Sequence, residues 1–284
     1  ECAHPYRVLN MLCIAGIAGT MIRLLIFGLG YAASHIARAV TQQGGQVVST
    51  GSAGSLRFED SASVRLALAD ATHILSSVPA MVDGDPVLTA YGDVVQQRRD
   101  AWIGYLSSTG VYGDSNGAWV DESAPIKGRR ASRNAADQDW QDLGARVFRL
   151  PGIYGPGRSA LDRVAEGRAH RINLPDQVFS RVHVDDITSG VIAGFEGPPG
   201  VYNLSDDLPC GQNAVIELAC DLLGLPYPAL QTMEEAGLSP MARAFYDENR
   251  RVANGKAKRV LGWTPLYPDY QSGLMACLSA STRR

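Results

Sequence analysis

The sequence predicts an α/β fold: a Rossmann-type doubly wound parallel sheet with a smaller C-terminal lobe on the substrate side. Three observations lead there. Short, nearly continuous apolar runs alternate with helix-patterned segments from residue 23 to residue 150, as expected of strands buried on both faces by helices. The first run ends in Gly28-Leu29-Gly30, the kind of turn that joins strand to helix in dinucleotide-binding sheets. After Pro151 the alternation stops, broken by Gly152, Gly155, Pro156 and Gly157, and later elements are irregularly spaced.

In chain order, residues 23–27 read as a strand buried on both faces. Residues 32–43 carry Ile36, Ala37 and Val40 at helical spacing and close at Gly44-Gly45, before 46–50 resumes strand character. The same reasoning gives a helix at 63–69, a strand at 73–77, a helix at 86–99 and a strand at 102–107. A helix at 131–143 and a strand at 146–150 complete the regular series. Beyond it come a helix at 159–166, a strand at 178–184, helices at 186–195 and 213–223, and a last helix at 269–279. The expected organisation is a dinucleotide-binding domain at 21–154, with 178–204 returning to it, and a smaller lobe from 155–177 and 205–284. Residues 1–20 are expected to be an extension outside the fold. Met11 to Ile22 is apolar or small like the core of a signal peptide, yet too short to span a bilayer.

With 284 residues, 45% hydrophobic and 19% charged, the chain has the composition of an ordinary globular protein of one large or two joined domains. Lys+Arg 26 against Asp+Glu 29 leaves a net charge of -3, so there is no basic field to hold a nucleic-acid backbone. Neither nucleic acid nor membrane is an expected partner. The five cysteines are an odd number with no CxxC pair, which argues against a disulfide framework or a zinc site and for a reducing, cytoplasmic setting without metal.

Gly28-x-Gly30-x-x-Ala33 matches the G-x-G-x-x-G/A fingerprint, with Leu29 and Tyr31 between its fixed positions. Glycines there let backbone approach a pyrophosphate at the positive end of a helix, so the turn points to a nicotinamide dinucleotide. An acid at the end of the second strand would hold the ribose 2′-hydroxyl of NAD, but residues 46–55 contain none. Ser52 and Arg57 stand there instead, suited to a 2′-phosphate, so NADP is preferred over NAD.

Several segments, in order, carry a family likeness: Gly28-Leu29-Gly30-Tyr31, Leu106-Ser107-Ser108-Thr109-Gly110-Val111-Tyr112-Gly113, and Arg149-Leu150-Pro151-Gly152-Ile153-Tyr154-Gly155-Pro156-Gly157. His183-Val184-Asp185-Asp186, Tyr202-Asn203-Leu204-Ser205 and Leu261-Gly262-Trp263-Thr264-Pro265 extend it. In these the chain resembles the extended short-chain dehydrogenase/reductases, the superfamily of NAD-dependent epimerases and dehydratases. The resemblance implies oxidoreduction, epimerisation or dehydration of a small carbonyl or sugar-like substrate, and a helix-packed homodimer. It implies that Ser108 is the catalytic serine, that Ser76, Ser77 and Val78 line the adenosine side, and that Pro151 and Gly152 lie near the nicotinamide amide.

One departure stands out. The family's Tyr-x-x-x-Lys pair sets a proton-donating phenol beside an ammonium, and no such pair exists here: Ser123, Val252 and Asn254 precede Lys127, Lys256 and Lys258 by four. Alignment through Asp137 puts Arg129 at the tyrosine position and Arg133 at the lysine position. Arginine stays protonated and is no ordinary acid or base. Tyr112 and Tyr154 are the candidate substitutes, though Pro156 opposes a helical turn joining Tyr154 to Arg158, and both suit packing roles. The competing class is a non-catalytic NADP-binding sensor.

Arg158, Arg163, Arg168, Arg171 and Arg181 cluster at the entrance of the second lobe. Arg158 and Arg181 are candidates to bind an anionic substrate, the alternative being a solvated helix face. The arginine that grips phosphate in the family falls at Phe179 here, which argues against a nucleotide sugar. Gly113-Asp114-Ser115-Asn116-Gly117 formally matches the nucleophile elbow of serine hydrolases, but no helix pattern follows it. Asp185 and Asp186 read as helix N-caps rather than metal ligands.

Overall fold

The structure, a computed structural model, describes residues 21–282; the expected extension at 1–20 lies outside the described residues. The chain divides into two compact units, one running to Val78 and including Pro86–Gly104, the other comprising Pro79–Asp85 and everything from Tyr105 onward.

The first unit holds β1 (Arg23–Phe27), α1 (Tyr31–Gln42), β2 (Gln46–Ser49), α2 (Ser61–Asp70), β3 (His73–Ser76), α3 (Pro86–Gln97) and the start of β4 (Trp102–Ser108). β1 pairs in parallel with β2 on one side and β3 on the other, Ile26 standing opposite Ser49 and Leu75. Leu24 to Phe27 are buried without alternation because both sheet faces are covered. α1 turns Ala32, Ala33, Ile36 and Val40 inward. Phe27 stacks on Tyr91 at 5.7 Å, and Phe58 meets the same ring edge-on at 5.3 Å.

In the second unit the end of β4 leads through a 3-10 turn (Thr109–Tyr112) to β5 (Trp119–Val120), α4 (Ala131–Asp142), β6 (Arg146–Leu150) and β7 (Gly152–Tyr154). Next come α5 (Ala160–Ala165), β8 (Arg171–Ile172), β9 (Arg181–His183), α6 (Val184–Ala193), β10 (Gly200–Asn203) and α7 (Gln212–Leu223). β11 (Leu230–Gln231), α8 (Pro240–Phe245), β12 (Arg251–Val252), α9 (Gly255–Leu261) and α10 (Tyr270–Ser281) complete the unit. The central sheet is six-stranded and parallel, in the order β10-β6-β4-β3-β1-β2, so the Rossmann-type architecture holds. An apolar core joins α5, α7 and α10 through Leu161, Val164, Ile216, Ala219 and Leu274.

A buried ion pair lies under the sheet in this unit. Arg149 on β6 donates to Asp137 on α4 through Nη2 at 2.6 Å and Nε at 3.1 Å, with side chains 2% and 0% exposed. Ser107 and Gln141 donate to the same carboxylate at 2.5 and 2.7 Å, and the Tyr112 ring lies 4.9 Å from the guanidinium. Such a pair contributes little net stability while intact and costs much when one partner is removed.

Three expectations need correction. Gly152 and Ile153 do not break the pattern; they form β7, paired in parallel with β9. The strand expected at 178–184 is confined to Arg181–His183: upstream the Val178 amide bonds the Asn249 side chain and Phe179 bridges Cys210, leaving the Ser180 carbonyl, which accepts from Gly152, as the last link to β7. Asp185 and Asp186 do not cap α6. His183 does, its Nδ1 accepting from the Asp185 amide at 3.2 Å, while Asp186 accepts from the amides of Leu266 and Tyr267.

Cys210, Cys220 and Cys277 are free thiols. Among the described residues no group of three His, Cys, Asp or Glu is placed to hold a metal, and no helix is long and apolar enough to cross a membrane.

Candidate functional site

In the first unit, three strand exits converge on the glycine turn. Gly28 has φ +82°, and a Cβ there would come within 3.0 Å of Val78 Cγ2 and 3.2 Å of Ser77 Oγ. Both its conformation and its surroundings therefore demand glycine. The Ser77 hydroxyl donates to the Gly28 carbonyl. Gly51, at φ +114°, brings the exit of β2 so close that a Cβ would lie 3.3 Å from the Leu29 amide. The Gly28 and Leu29 amides are bonded to Thr50, through Oγ1 at 3.3 Å and the carbonyl at 3.0 Å. The amides at the strand exit are thus engaged within the protein, and the donor face that no side chain caps is the first turn of α1, whose N-cap is Gly30.

A Cβ on Gly30 would meet nothing within 4 Å, so the face before the helix is open backbone. Tyr31 opens α1 and Ala33 is buried beneath it. Ser52 and Arg57 are exposed on the segment after β2, and Ser76 is buried with no partner for its hydroxyl among the described residues. A cradle without side chains at the positive end of a helix fits the diphosphate of a dinucleotide.

The second unit contains a cavity of about 470 Å³ where β4 ends. It brings together Ser108, Arg129, Arg133, Pro151, Gly152 and Arg158 from the sequence-predicted set. Five arginines line it (129, 130, 133, 158 and 250) against a single carboxylate, Glu248. Arg130, Phe179, Phe245, Glu248, Arg250 and Val252 were not anticipated as lining residues; they come from segments far apart in sequence and carry no motif.

Ser108 ends β4 and caps the turn after it, accepting from the Gly110 amide at 3.1 Å and from Arg133 Nη1 at 3.4 Å. Arg133 is half-buried, and burial followed by the nearby Arg130 pulls its pKa down. Arg129 is differently placed: it donates to Glu248 at 2.8 Å, Asp247 at 3.1 Å and the Ala244 carbonyl at 2.7 Å. Burial works to raise Glu248, but hydrogen bonds from Arg129 and Arg250 outweigh it and hold this carboxyl below its usual range.

Gly113 to Gly117 is a clamp on this cavity's wall rather than a nucleophile elbow. The Ser115 and Gly117 amides donate to the Asn249 carbonyl at 3.1 and 2.8 Å, and the Asn249 amide donates to Asp114 Oδ1 at 2.7 Å. Asn249 also holds the Asp176 carbonyl and the Val178 amide with its side chain, at 2.9 and 3.2 Å. Arg250 donates to the Gly113 carbonyl at 2.7 Å and to Glu248 at 2.6 Å.

A second cavity of about 460 Å³ is lined by Tyr154, Arg158, Arg163, Arg168 and Arg181. Arg181 is buried and its guanidinium donates to the Phe179 and Cys210 carbonyls and to Gln212, at 2.9, 3.1 and 3.0 Å. Tyr154 is buried edge-on against His183, and burial drives its phenol far above the ordinary value. Tyr112 is likewise buried, donating to Asn203 at 2.7 Å, with its pKa raised by burial. Neither phenol is poised to lose a proton near neutrality.

No family profile matches the chain. A solved structure of a functionally unknown conserved protein from Silicibacter pomeroyi is 40% identical, covers 92% of this chain and 99% of its own, and superposes with a TM-score of 0.82. The chain belongs to that protein's family. A dTDP-glucose 4,6-dehydratase from Bacillus anthracis, solved in complex with NAD, is 15% identical with a TM-score of 0.73, covering 93% of this chain and 97% of the dehydratase. The chain thus shares the fold of that dehydratase. Among curated proteins, a 3-diazoavenalumate denitrifying reductase from Streptomyces is 31% identical over 145 residues. That match spans 47% of this chain and 47% of the reductase, about half the length of each.

Proposed function

We propose that the protein is an NAD(P)-dependent oxidoreductase, with NADP the preferred coenzyme, acting on a small carbonyl-type substrate that carries negative charge. The observation behind this reading is the glycine turn, where Gly28 is required by both its φ and its neighbours and Gly30 opens α1 with no capping side chain. In this reading the first turn of α1 binds the diphosphate, Ser77 and Val78 border the adenosine side, and Ser52 with Arg57 receives the 2′-phosphate. Gly28 follows β1, and in open α/β sheets ligands bind beyond the carboxyl ends of strands. The coenzyme, when bound, supplies hydride. Ser108 orients the substrate oxygen, Pro151 and Gly152 border the nicotinamide amide, and Arg158 attracts the substrate's negative charge.

The absent Tyr-x-x-x-Lys pair bears on oxidoreduction, epimerisation and dehydration alike, and oxidoreduction is favoured because a single hydride transfer needs no second step on the substrate. The reductase name of the Streptomyces relative points the same way. A positioned acid or base contributes about 10²–10⁴ in rate, so a reaction that keeps its rate here needs another form of assistance. The missing pair equally favours a second reading, a sensor in which coenzyme occupancy alters the second unit for a partner to read. Calorimetric titration with NADPH and NADH tests the first claim. NADPH should bind tighter, and uptake of neither at millimolar concentration would overturn it. Coenzyme oxidation with a panel of carbonyl acids then separates enzyme from sensor.

A further inference from the structure

We propose that Ser108 and Arg133 form a two-donor seat for a negatively charged substrate oxygen, so that charge stabilisation replaces proton donation. The chemistry deepens the oxidoreductase reading and rests on it; the binding of an anion does not. Ser108 Oγ already accepts two hydrogen bonds, from the Gly110 amide and Arg133 Nη1, which uses both lone pairs. Its own proton has no acceptor among the described residues, and the side chain lines the cavity. The hydroxyl is therefore a donor polarised by a cation.

Arg133 has no carboxylate within ion-pair distance among the described residues, in contrast to Arg129 and Arg250, which share Glu248 at 2.8 and 2.6 Å. Of its charged neighbours, Arg130 and Arg250 have the same sign, and the one carboxylate that acts on it, Glu248, lies beyond ion-pair distance and is already engaged by Arg129 and Arg250. A half-buried cation without a counter-ion is costly, and an incoming oxyanion relieves that cost while gaining charge-assisted hydrogen bonds. Gly110 makes the arrangement possible, since a Cβ there would stand 3.0 Å from Arg133 Nη1. Val178, Phe179 and Val252 add an apolar wall, which lowers the local dielectric and strengthens the pairing.

With hydride supplied by a reduced nicotinamide, whose C4–H bond would break as a C–H bond forms at the carbonyl carbon, the π electrons would move to oxygen and the alkoxide would be held between Ser108 O–H and Arg133 N–H. Water would then protonate the alkoxide, with hydroxide released to solvent and the nicotinamide left oxidised. Preorganised donors aimed at a developing oxyanion are a strong source of rate enhancement.

The test uses benzoate and its neutral analogue benzamide, titrated calorimetrically into the full chain without coenzyme. Benzoate should bind at least about tenfold tighter than benzamide, as expected when the hydrogen bonds are to a charged group. Arg133→Gln should weaken benzoate by about tenfold or more with benzamide unchanged, and Arg133→Lys should recover part of the loss. Should Arg133→Gln fold poorly by circular dichroism, Arg133→Lys and Ser108→Ala carry the same comparison. Equal binding of the two probes, or benzoate affinity indifferent to these substitutions, overturns the seat. NADPH titration of the same samples keeps the two readings apart: benzoate binding without coenzyme uptake refutes the oxidoreductase alone, and coenzyme uptake without a benzoate preference refutes the seat alone.

Discussion

The two units build their candidate sites from different materials. In the first, the site is backbone: three strand exits meet where Gly28 and Gly51 leave no room for a Cβ, and the donors belong to the main chain. In the second, the site is side chain: five arginines and one glutamate from separated segments wall a cavity. A backbone site is fixed by conformation and fails when bulk is added. A side-chain site is held by networks and fails when a partner is removed.

The largest expected effect sharpens this contrast. Replacing Asp137 with Ala strands the Arg149 charge inside the second unit and should cost about 3–5 kcal/mol in urea unfolding. Pairing Asp137→Leu with Arg149→Met should recover most of that loss; a single variant as stable as the parent would show that the pair carries no such burden.

Next comes a pH effect. Asp206 is 2% exposed with both carboxyl oxygens lacking partners among the described residues, and burial pushes its pKa from 3.8 up to about 8, against the pull of Arg181. Between those values the native state holds a proton that the unfolded state has released, so stability should fall as pH rises through that window and level off above it. Burial likewise lifts Asp186 to about 7. Asp206→Asn should flatten the slope of melting temperature against pH; an unchanged slope would assign it elsewhere.

The turn answers to a smaller change of another kind. Gly28→Ala forces a side chain into φ +82° beside Val78, costing about 1–2 kcal/mol of stability and abolishing coenzyme uptake while benzoate still binds. The mildest variant is the reverse case. Asn249→Ala releases the Asp176 carbonyl and the Val178 amide, which should cost about 1 kcal/mol and weaken benzoate while leaving NADPH affinity intact. Loss of both ligands in either variant would break the division between the units.

The first unit was legible in the sequence because its signals are local: consecutive apolar residues in β1, glycines at fixed spacing, and helical periodicity in α1. The cavity was not. Arg250 and Glu248 stand more than 100 residues beyond Ser108 in the chain, and only tertiary structure brings them to one wall. β5, β8, β11 and β12 have two residues each, too few for any alternation to appear. Asp185 and Asp186 misled for a physical reason: an acid at a helix start usually caps it, but distant amides at 266 and 267 engage Asp186 and leave the cap to His183. Ser108 was singled out by resemblance, yet its relation to Arg133 emerges only once α4 packs beside the end of β4.

The clamp that Gly113–Gly117 places on Asn249 has an evolutionary corollary. That wall is bolted at several points, by Asn249, by Arg250 on Gly113 and Glu248, and by β12 on β5, so it behaves as an interchangeable panel whose exposed residues between the bolts are freer to drift than the bolts. Homologues that keep these fastenings and vary the residues between them would then be expected to share a coenzyme and diverge in diet, and grafting one homologue's 244–252 stretch onto another should carry the taste for a particular acid along with it.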